Sequence, residues 1–251
     1  MRAVLTIAGS DSGGGAGIQA DLRTFAAFGL HGLSAVTAVT AQDTRGISCV
    51  HALPPDVVAA QIAAAADFPV TAAKTGMLAT GPIVDAVCRQ LRSLGVRPVV
   101  DPVLVSTSGR RLLDEDGIRR LKTRLLPLAA VVTPNRMEAE RLSGIEITSL
   151  AAARQAARRI RDLGAAAVIV TGGHLGEEED TVVDILDDGV RTVEIATQRV
   201  GGPAGAGTHG TGCAFSAALT AGIAAGRALP AAAEDAQRYV AAALRRGPRA
   251  T

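Results

Sequence analysis

Aromatic residues are scarce in this chain of 251 residues, which has four Phe, one Tyr and no Trp. Single-stranded nucleic acid is usually bound on aromatic stacking platforms, and this chain has almost none to offer. Surplus charge is missing as well. Lys and Arg number 26 against 24 Asp and Glu, a net of +2, far from the basic balance that binds polyanions through counterion release. No nucleic-acid partner is expected. The apolar stretches, of which residues 63–66 are an example, fall far short of the roughly 20 residues that cross a bilayer. No membrane partner is expected either. Met1-Arg2 runs straight into a strand-like segment at residues 3–8, without the apolar core or cleavage pattern of a secretory signal. The three cysteines, Cys49, Cys88 and Cys213, are odd in number and far apart, which excludes a disulfide framework and paired zinc ligands. The expectation is a cytoplasmic protein.

What the chain does have is 48% hydrophobic composition and 28 glycines. Short β-branched runs alternate with longer Ala-rich helical patterns, as in βαβ units of a mostly parallel sheet covered on both faces. Strands are expected at residues 4–8, 34–41, 70–75, 98–101, 131–133 and 167–171, and as a hairpin at 182–186 and 191–195 around Asp187-Asp188-Gly189. Helices are expected at residues 18–28, 56–67, 83–94, 114–125, 136–142, 150–163, 211–225 and 230–244, two of them opened by Pro54-Pro55 and Gly81-Pro82. No linker or repeat interrupts this rhythm, so residues 1–251 read as one doubly wound α/β domain.

Three segments are candidates for chemistry. The first, Gly9-Ser10-Asp11-Ser12-Gly13-Gly14-Gly15-Ala16-Gly17, joins the first strand to the first helix, where doubly wound sheets bind ligands. It suits a substrate loop. A plain turn is the bland reading, and Gly15-Ala16-Gly17-Ile18-Gln19-Ala20 with Asp43 as ribose acid is a loose match to a dinucleotide site.

The second, Thr208-His209-Gly210-Thr211-Gly212-Cys213, opens a helix, and its glycines expose backbone N–H groups as an anion cradle. Cys213 in the first turn is either a small packing residue or a thiolate, favoured by the helix dipole, that accepts a proton. His209 adjoins the cradle and either donates to phosphate or holds the loop. The third, Thr133-Pro134-Asn135-Arg136-Met137-Glu138, has the spacing of a capping box. The same Asn135 and Glu138, with Asp101, offer oxygens to Mg²⁺ beside ATP phosphates. His31 and His51 have no ligand neighbours at useful spacing, and Cys49 and Cys88 read as small hydrophobes within apolar patterns.

Taken in order, these segments resemble the ribokinase-like superfamily, and within it the hydroxymethylpyrimidine/phosphomethylpyrimidine kinases of thiamine biosynthesis. The resemblance rests on the run from Thr6 to Leu22, Ala41-Gln42-Asp43-Thr44-Arg45-Gly46, Ala73-Lys74-Thr75-Gly76-Met77, Val100-Asp101-Pro102-Val103, Thr133-Pro134-Asn135 and His209-Gly210-Thr211-Gly212-Cys213. It implies a ribokinase-like fold, ATP as phosphoryl donor, Mg²⁺ as cofactor and an aminopyrimidine alcohol as substrate. Pyridoxal kinases of the same superfamily are the near alternative, and a homodimer is compatible with the family.

By the same resemblance Gln42 bonds the aminopyrimidine edge, and Asp21 and Met77 line the substrate pocket. A carboxamide carries the donor and acceptors that such a ring requires. Gly210, Thr211 and Gly212 form the anion hole and Cys213 is the base. Asn135, Thr171 and His209 face the nucleotide phosphates, and Asp101 and Glu138 face the metal. The chain departs from the family at Thr171, where a lysine is usual, leaving Lys74 and Arg136 as substitute cations; it also ends without the longer tail of many relatives. Outside this resemblance stand a dinucleotide-dependent oxidoreductase and a catalytically silent binding protein.

Overall fold

The computed structural model describes residues 2–43, 46–106, 108–172, 181–200 and 210–246. Nine strands form one sheet in the order β3-β2-β1-β4-β5-β6-β7-β8-β9. The interior strand β1 (Ala3–Asp11) pairs in parallel with β2 (His31–Asp43) and β4 (Val70–Thr75), and the parallel run continues through β5 (Pro98–Val100), β6 (Val131–Val132) and β7 (Val168–Val170). Antiparallel strands close both sides: β3 (Gly46–Ala52) beside β2, then β8 (Thr181–Asp187) and β9 (Thr192–Gln198) after β7.

The alternation of side chains along β1 explains why helices cover both faces. Leu5 and Ile7 enter one apolar cluster, with Val58 and Ile62 of α2 (Pro55–Ala64), Ile83 and Val87 of α3 (Gly81–Leu94), Ala139 of α5 (Arg136–Ser143) and Ala156 of α6 (Leu150–Arg161). Val4 enters the other, with Phe25 of α1 (Gly17–Ala27) and Ala217 and Ala221 of α7 (Thr211–Ala224). Helix α7 is buried along most of its length, so its small residues serve close packing rather than solvation. Gly222 illustrates this, since a Cβ there would lie 2.9 Å from the Cβ of Ala232 in α8 (Leu229–Arg246).

Three local readings are corrected. β3 carries no strand expectation in the sequence, because Gly46–Ala52 lies on an exposed edge and shows no clean apolar alternation. Cys49, on that strand, is exposed rather than set in apolar surroundings. The single helix expected at 114–125 is divided into α4 (Glu115–Arg120), a π turn (Leu121–Leu125) and a 3₁₀ turn through Pro127. Among the described residues no helix is long and apolar enough to cross a membrane.

Candidate active site

All six parallel strands point their C-terminal ends at one edge of the sheet, and that edge gathers most of the candidate residues. Gly9 to Asp11 end β1, Gln42 lies near the end of β2, Met77 follows β4, Asp101 follows β5, Asn135 follows β6 and Thr171 follows β7. Helix α7 starts at the same place. Its N-cap Gly210 has φ +82°, and a Cβ there would lie 1.9 Å from the carbonyl oxygen of Gly15. Only glycine permits that approach, and it seats the anion cradle directly against the glycine-rich loop. Gly17 completes the junction by donating its N–H to the sulfur of Cys213. Among the described residues nothing lies within 4 Å of where a Gly212 Cβ would stand. His209 lies outside the described residues.

The glycine-rich loop is folded around its own acid. Asp11 accepts the Gly13 N–H on Oδ1 and the Ala16 N–H on Oδ2, both at 2.8 Å. These are amides that a dinucleotide pyrophosphate would need, and Asp43 turns its carboxylate to the Gly46 N–H at 3.1 Å. The oxidoreductase reading is therefore set aside.

Gln42 is fixed through its backbone: its N–H donates to Ser12 Oγ at 2.9 Å, and that hydroxyl donates to the Gln42 carbonyl at 3.0 Å. Met77 packs with Ala38 and Leu112, its sulfur 3.0 Å from where a Gly9 Cβ would stand. Both residues thus border the loop at residues 9–17. A groove of about 510 Å³ opens between the β2–β3 hairpin and residues 108–110, where Arg110 donates to the Ile47 and Ser48 carbonyls.

Asp21 is placed differently from the expectation. It is fully buried, accepting Thr6 Oγ1 at 2.6 Å on one oxygen and Lys74 Nζ at 2.7 Å on the other. It stands behind the pocket wall rather than on it. Lys74 also lies 3.8 Å from Asp101 Oδ2, which accepts the Ser216 hydroxyl at 2.9 Å. A chain of charge and hydrogen bonds therefore runs from α1 through β4 and β5 to α7. Sequence reading gave Lys74 only the part of a substitute cation; the signal was a lone charge inside a strand otherwise reading as buried.

The thiol of Cys213 is the second correction. Burial of the sulfur pushes it up to about 12, against the pull of Lys74 and the Gly17 N–H and with the charges of Asp101 and Asp21 adding to the rise. Although the residue as a whole is only partly covered, its sulfur is turned inward among these groups. A helix dipole is worth about 0.3–1 kcal/mol, too little to make the expected thiolate.

Asn135 and Glu138 form a full capping box, each side chain accepting the other's backbone N–H at 3.0 Å. Glu138 is also close enough to Asp101 to feel its charge. Burial, and then Asp101, push its carboxyl up to about 8, opposed by the N–H groups of Asn135 and Leu104. Burial likewise raises Asp101 despite Lys74 and Ser216. Two buried carboxyl groups that resist ionising together fit a dication, and Mg²⁺ is usually held by one or two carboxylates plus substrate phosphates. Thr171 is half-buried, its N–H bonded to the Pro134 carbonyl at 2.9 Å, so it sits beside Asn135. Of the two substitute cations, Lys74 is engaged by Asp21, whereas the Nε of Arg136 is buried without a hydrogen-bond partner among the described residues.

Comparison with known proteins agrees with this geometry. Residues 11–251 match the family model described as phosphomethylpyrimidine kinase. A hydroxymethylpyrimidine/phosphomethylpyrimidine kinase of Synechococcus elongatus is 47% identical over 96% of this chain and 90% of its own length. A bifunctional thiamine biosynthesis protein of Geobacter sulfurreducens is also 47% identical, and there the chain spans 49% of the relative. Among solved structures, a phosphomethylpyrimidine kinase from Clostridium difficile superposes with TM-score 0.84 at 36% identity, covering 97% of this chain and 100% of that one. A Staphylococcus aureus pyridoxal kinase in complex with pyridoxal gives 0.88 at 36% identity over 98% and 88%. Fold, site and sequence together place this chain in the phosphomethylpyrimidine kinase family, a ribokinase-like family of phosphotransferases.

Proposed function

We propose that residues 1–251 form one cytoplasmic kinase domain that transfers the γ-phosphoryl group of ATP to 4-amino-5-hydroxymethyl-2-methylpyrimidine, and in a second round to its monophosphate. The observation that carries this reading is the seating of the α7 cradle on the substrate loop, Gly210 against Gly15 and Cys213 against Gly17. It brings the Cys213 thiol and an anion hole to the loop that Gln42 and Met77 border. Gln42 would bond the aminopyrimidine edge through its carboxamide. The backbone at Gly210, Thr211 and Gly212 would offset charge on the transferring oxygens, the main term in phosphoryl transfer. Asn135, Thr171 and His209 are assigned to the nucleotide phosphates.

Asp101 and Glu138 would hold Mg²⁺, which when bound neutralises phosphate charge. The three thiols, all free, suit a reducing compartment. A homodimer is part of the same reading and is checked by sedimentation velocity. Pyridoxal is the second substrate reading, favoured by the likeness to the pyridoxal kinase fold.

Cys213 is a protonated thiol at neutral pH, so it must first ionise, its proton leaving to solvent with Lys74 beside the sulfur; as the thiolate it then takes the proton of the substrate hydroxyl while that oxygen bonds to phosphorus. In the second round the acceptor is a phosphate oxygen already ionised, and no base is needed. Cys213→Ala should therefore slow phosphorylation of the alcohol by about 10²–10⁴-fold, the range for a lost general base, and that of the monophosphate much less. Equal losses in the two rounds would show that Cys213 only shapes the cradle.

A further inference from the structure

Asp184 is a buried acid that the chemistry above leaves unused. It lies in β8, 4% exposed, opposite Ile195 of β9. Among the described residues only neutral donors hold its carboxylate: Oδ1 accepts the Gly172 N–H at 2.7 Å, and Oδ2 accepts Gln237 Nε2 of α8 at 2.8 Å. Burial pushes the carboxyl up to about 6 against the pull of those two bonds, and no charged group acts on it from β7, β9 or α8.

A carboxylate buried without a counter-charge is costly. Holding the sheet together does not account for it, since β7 and β8 already pair at Val168, Ile169 and Val170. What the acid adds is a grip on the backbone just beyond β7. Gly172 is pressed against β8 so closely that a Cβ there would fall 1.7 Å from the Val183 carbonyl oxygen. One residue earlier, the Thr171 N–H is held by the Pro134 carbonyl. The chain leaving β7 is thus clamped on both sides, at the edge that carries Asp101 and Asn135. Gln237 Nε2 also donates to the Ile195 carbonyl at 3.0 Å, which ties the clamp to α8.

We propose that Asp184, steadied by Gln237, is a positioning residue for the nucleotide: its grip on Gly172 sets the backbone at Thr171 where the ATP phosphates bind. This inference rests on the phosphoryl-transfer reading above. Asp184→Asn keeps an acceptor for the Gly172 N–H and removes the charge. The KM for ATP should rise about 10-fold, the scale of one charge-assisted hydrogen bond, while the KM for the pyrimidine stays within about twofold.

The parent's KM for ATP, divided by the variant's, should also climb as the pH falls through about 6, where Asp184 gains its proton. A variant that loses thermal stability but keeps both KM values overturns the proposal, and so does an equal rise in both. Should Asp184→Asn fail to fold, Gln237→Leu reads the clamp from α8. A rise of about threefold in the KM for ATP supports it, on the scale of one neutral hydrogen bond, and no rise overturns it. Failure of the underlying reading looks different, because the parent itself would then gain no thermal protection from MgADP.

Discussion

Asp21 and Asp184 are both hidden from solvent, yet one meets an ammonium group at 2.7 Å and the other a backbone N–H and a carboxamide. The first centre is ionic. Burial works against the charge on Lys74, but Asp21, Cys213 and Asp101 outweigh it and hold the amine well above its ordinary value. That pair joins α1 and β4, and through Asp101 and Ser216 the frame reaches β5 and α7 under the reacting groups. The second centre has no counter-charge among the described residues, and burial pushes its acid up to about 6. Burial is common to the two; they differ in their partners, an ammonium for Asp21 and neutral donors for Asp184 among the described residues.

The largest way to break this contrast is to remove the cation. Lys74→Met leaves Asp21 and Asp101 facing each other without compensation, and breaking a buried pair in this way costs about 3–5 kcal/mol. Urea unfolding at neutral pH measures it, and the double variant Lys74→Met/Asp21→Asn should recover part of the loss. A cost below about 1 kcal/mol, typical of an exposed pair, would mean that the frame is not ionic.

The second centre gives a signature in pH. A folded-state value of about 6 lies above the ordinary carboxylate value of 3.8, so the native state holds the proton longer than the unfolded chain. The associated stability is fully present below the unfolded value, and it is lost as the pH rises through the folded one. Asp184→Asn should lack this decline. Unfolding free energies of parent and variant, compared from about pH 4 to pH 7, should shift in the variant's favour up to about pH 6 and run parallel above it; curves parallel throughout would place the titration elsewhere.

The smallest effect concerns Thr171. Lysine at that position should raise kcat/KM by about 10-fold, one charge-assisted contact to phosphate, measured at saturating Mg²⁺. The orphaned Nε of Arg136 sharpens the test: an unchanged kcat/KM for Thr171→Lys would show that another cation already serves the phosphates.

The sheet and most helices were legible because β-branched runs and Ala-rich amphipathic stretches carry their periodicity locally. The capping box at Asn135 and Glu138 was legible for the same reason, being confined to four residues. The edge strand β3 was not, since an exposed strand has no buried face to write into its sequence. At the site, local pattern showed where α7 begins but not what surrounds its first turn. The rise of the Cys213 thiol comes from burial and from Asp21 and Asp101, which arrive from distant parts of the chain. Lys74 and Asp21 are 53 positions apart, and Ser216 and Asp101 are 115 apart; such partnerships exist only after the sheet has brought strand ends together.

The central claim is the reaction itself, and ADP release by the purified chain with MgATP tests it most directly. Hydroxymethylpyrimidine and its monophosphate should both be turned over, with kcat/KM for the alcohol above that for pyridoxal. Ribose should give no release above background. Gln42→Ala should weaken the pyrimidine by about 1–3 kcal/mol, the cost of leaving its polar edge unpaired. Turnover of pyridoxal in preference to both pyrimidines, or no ADP release with any of them while MgADP still protects the fold, would contradict the account.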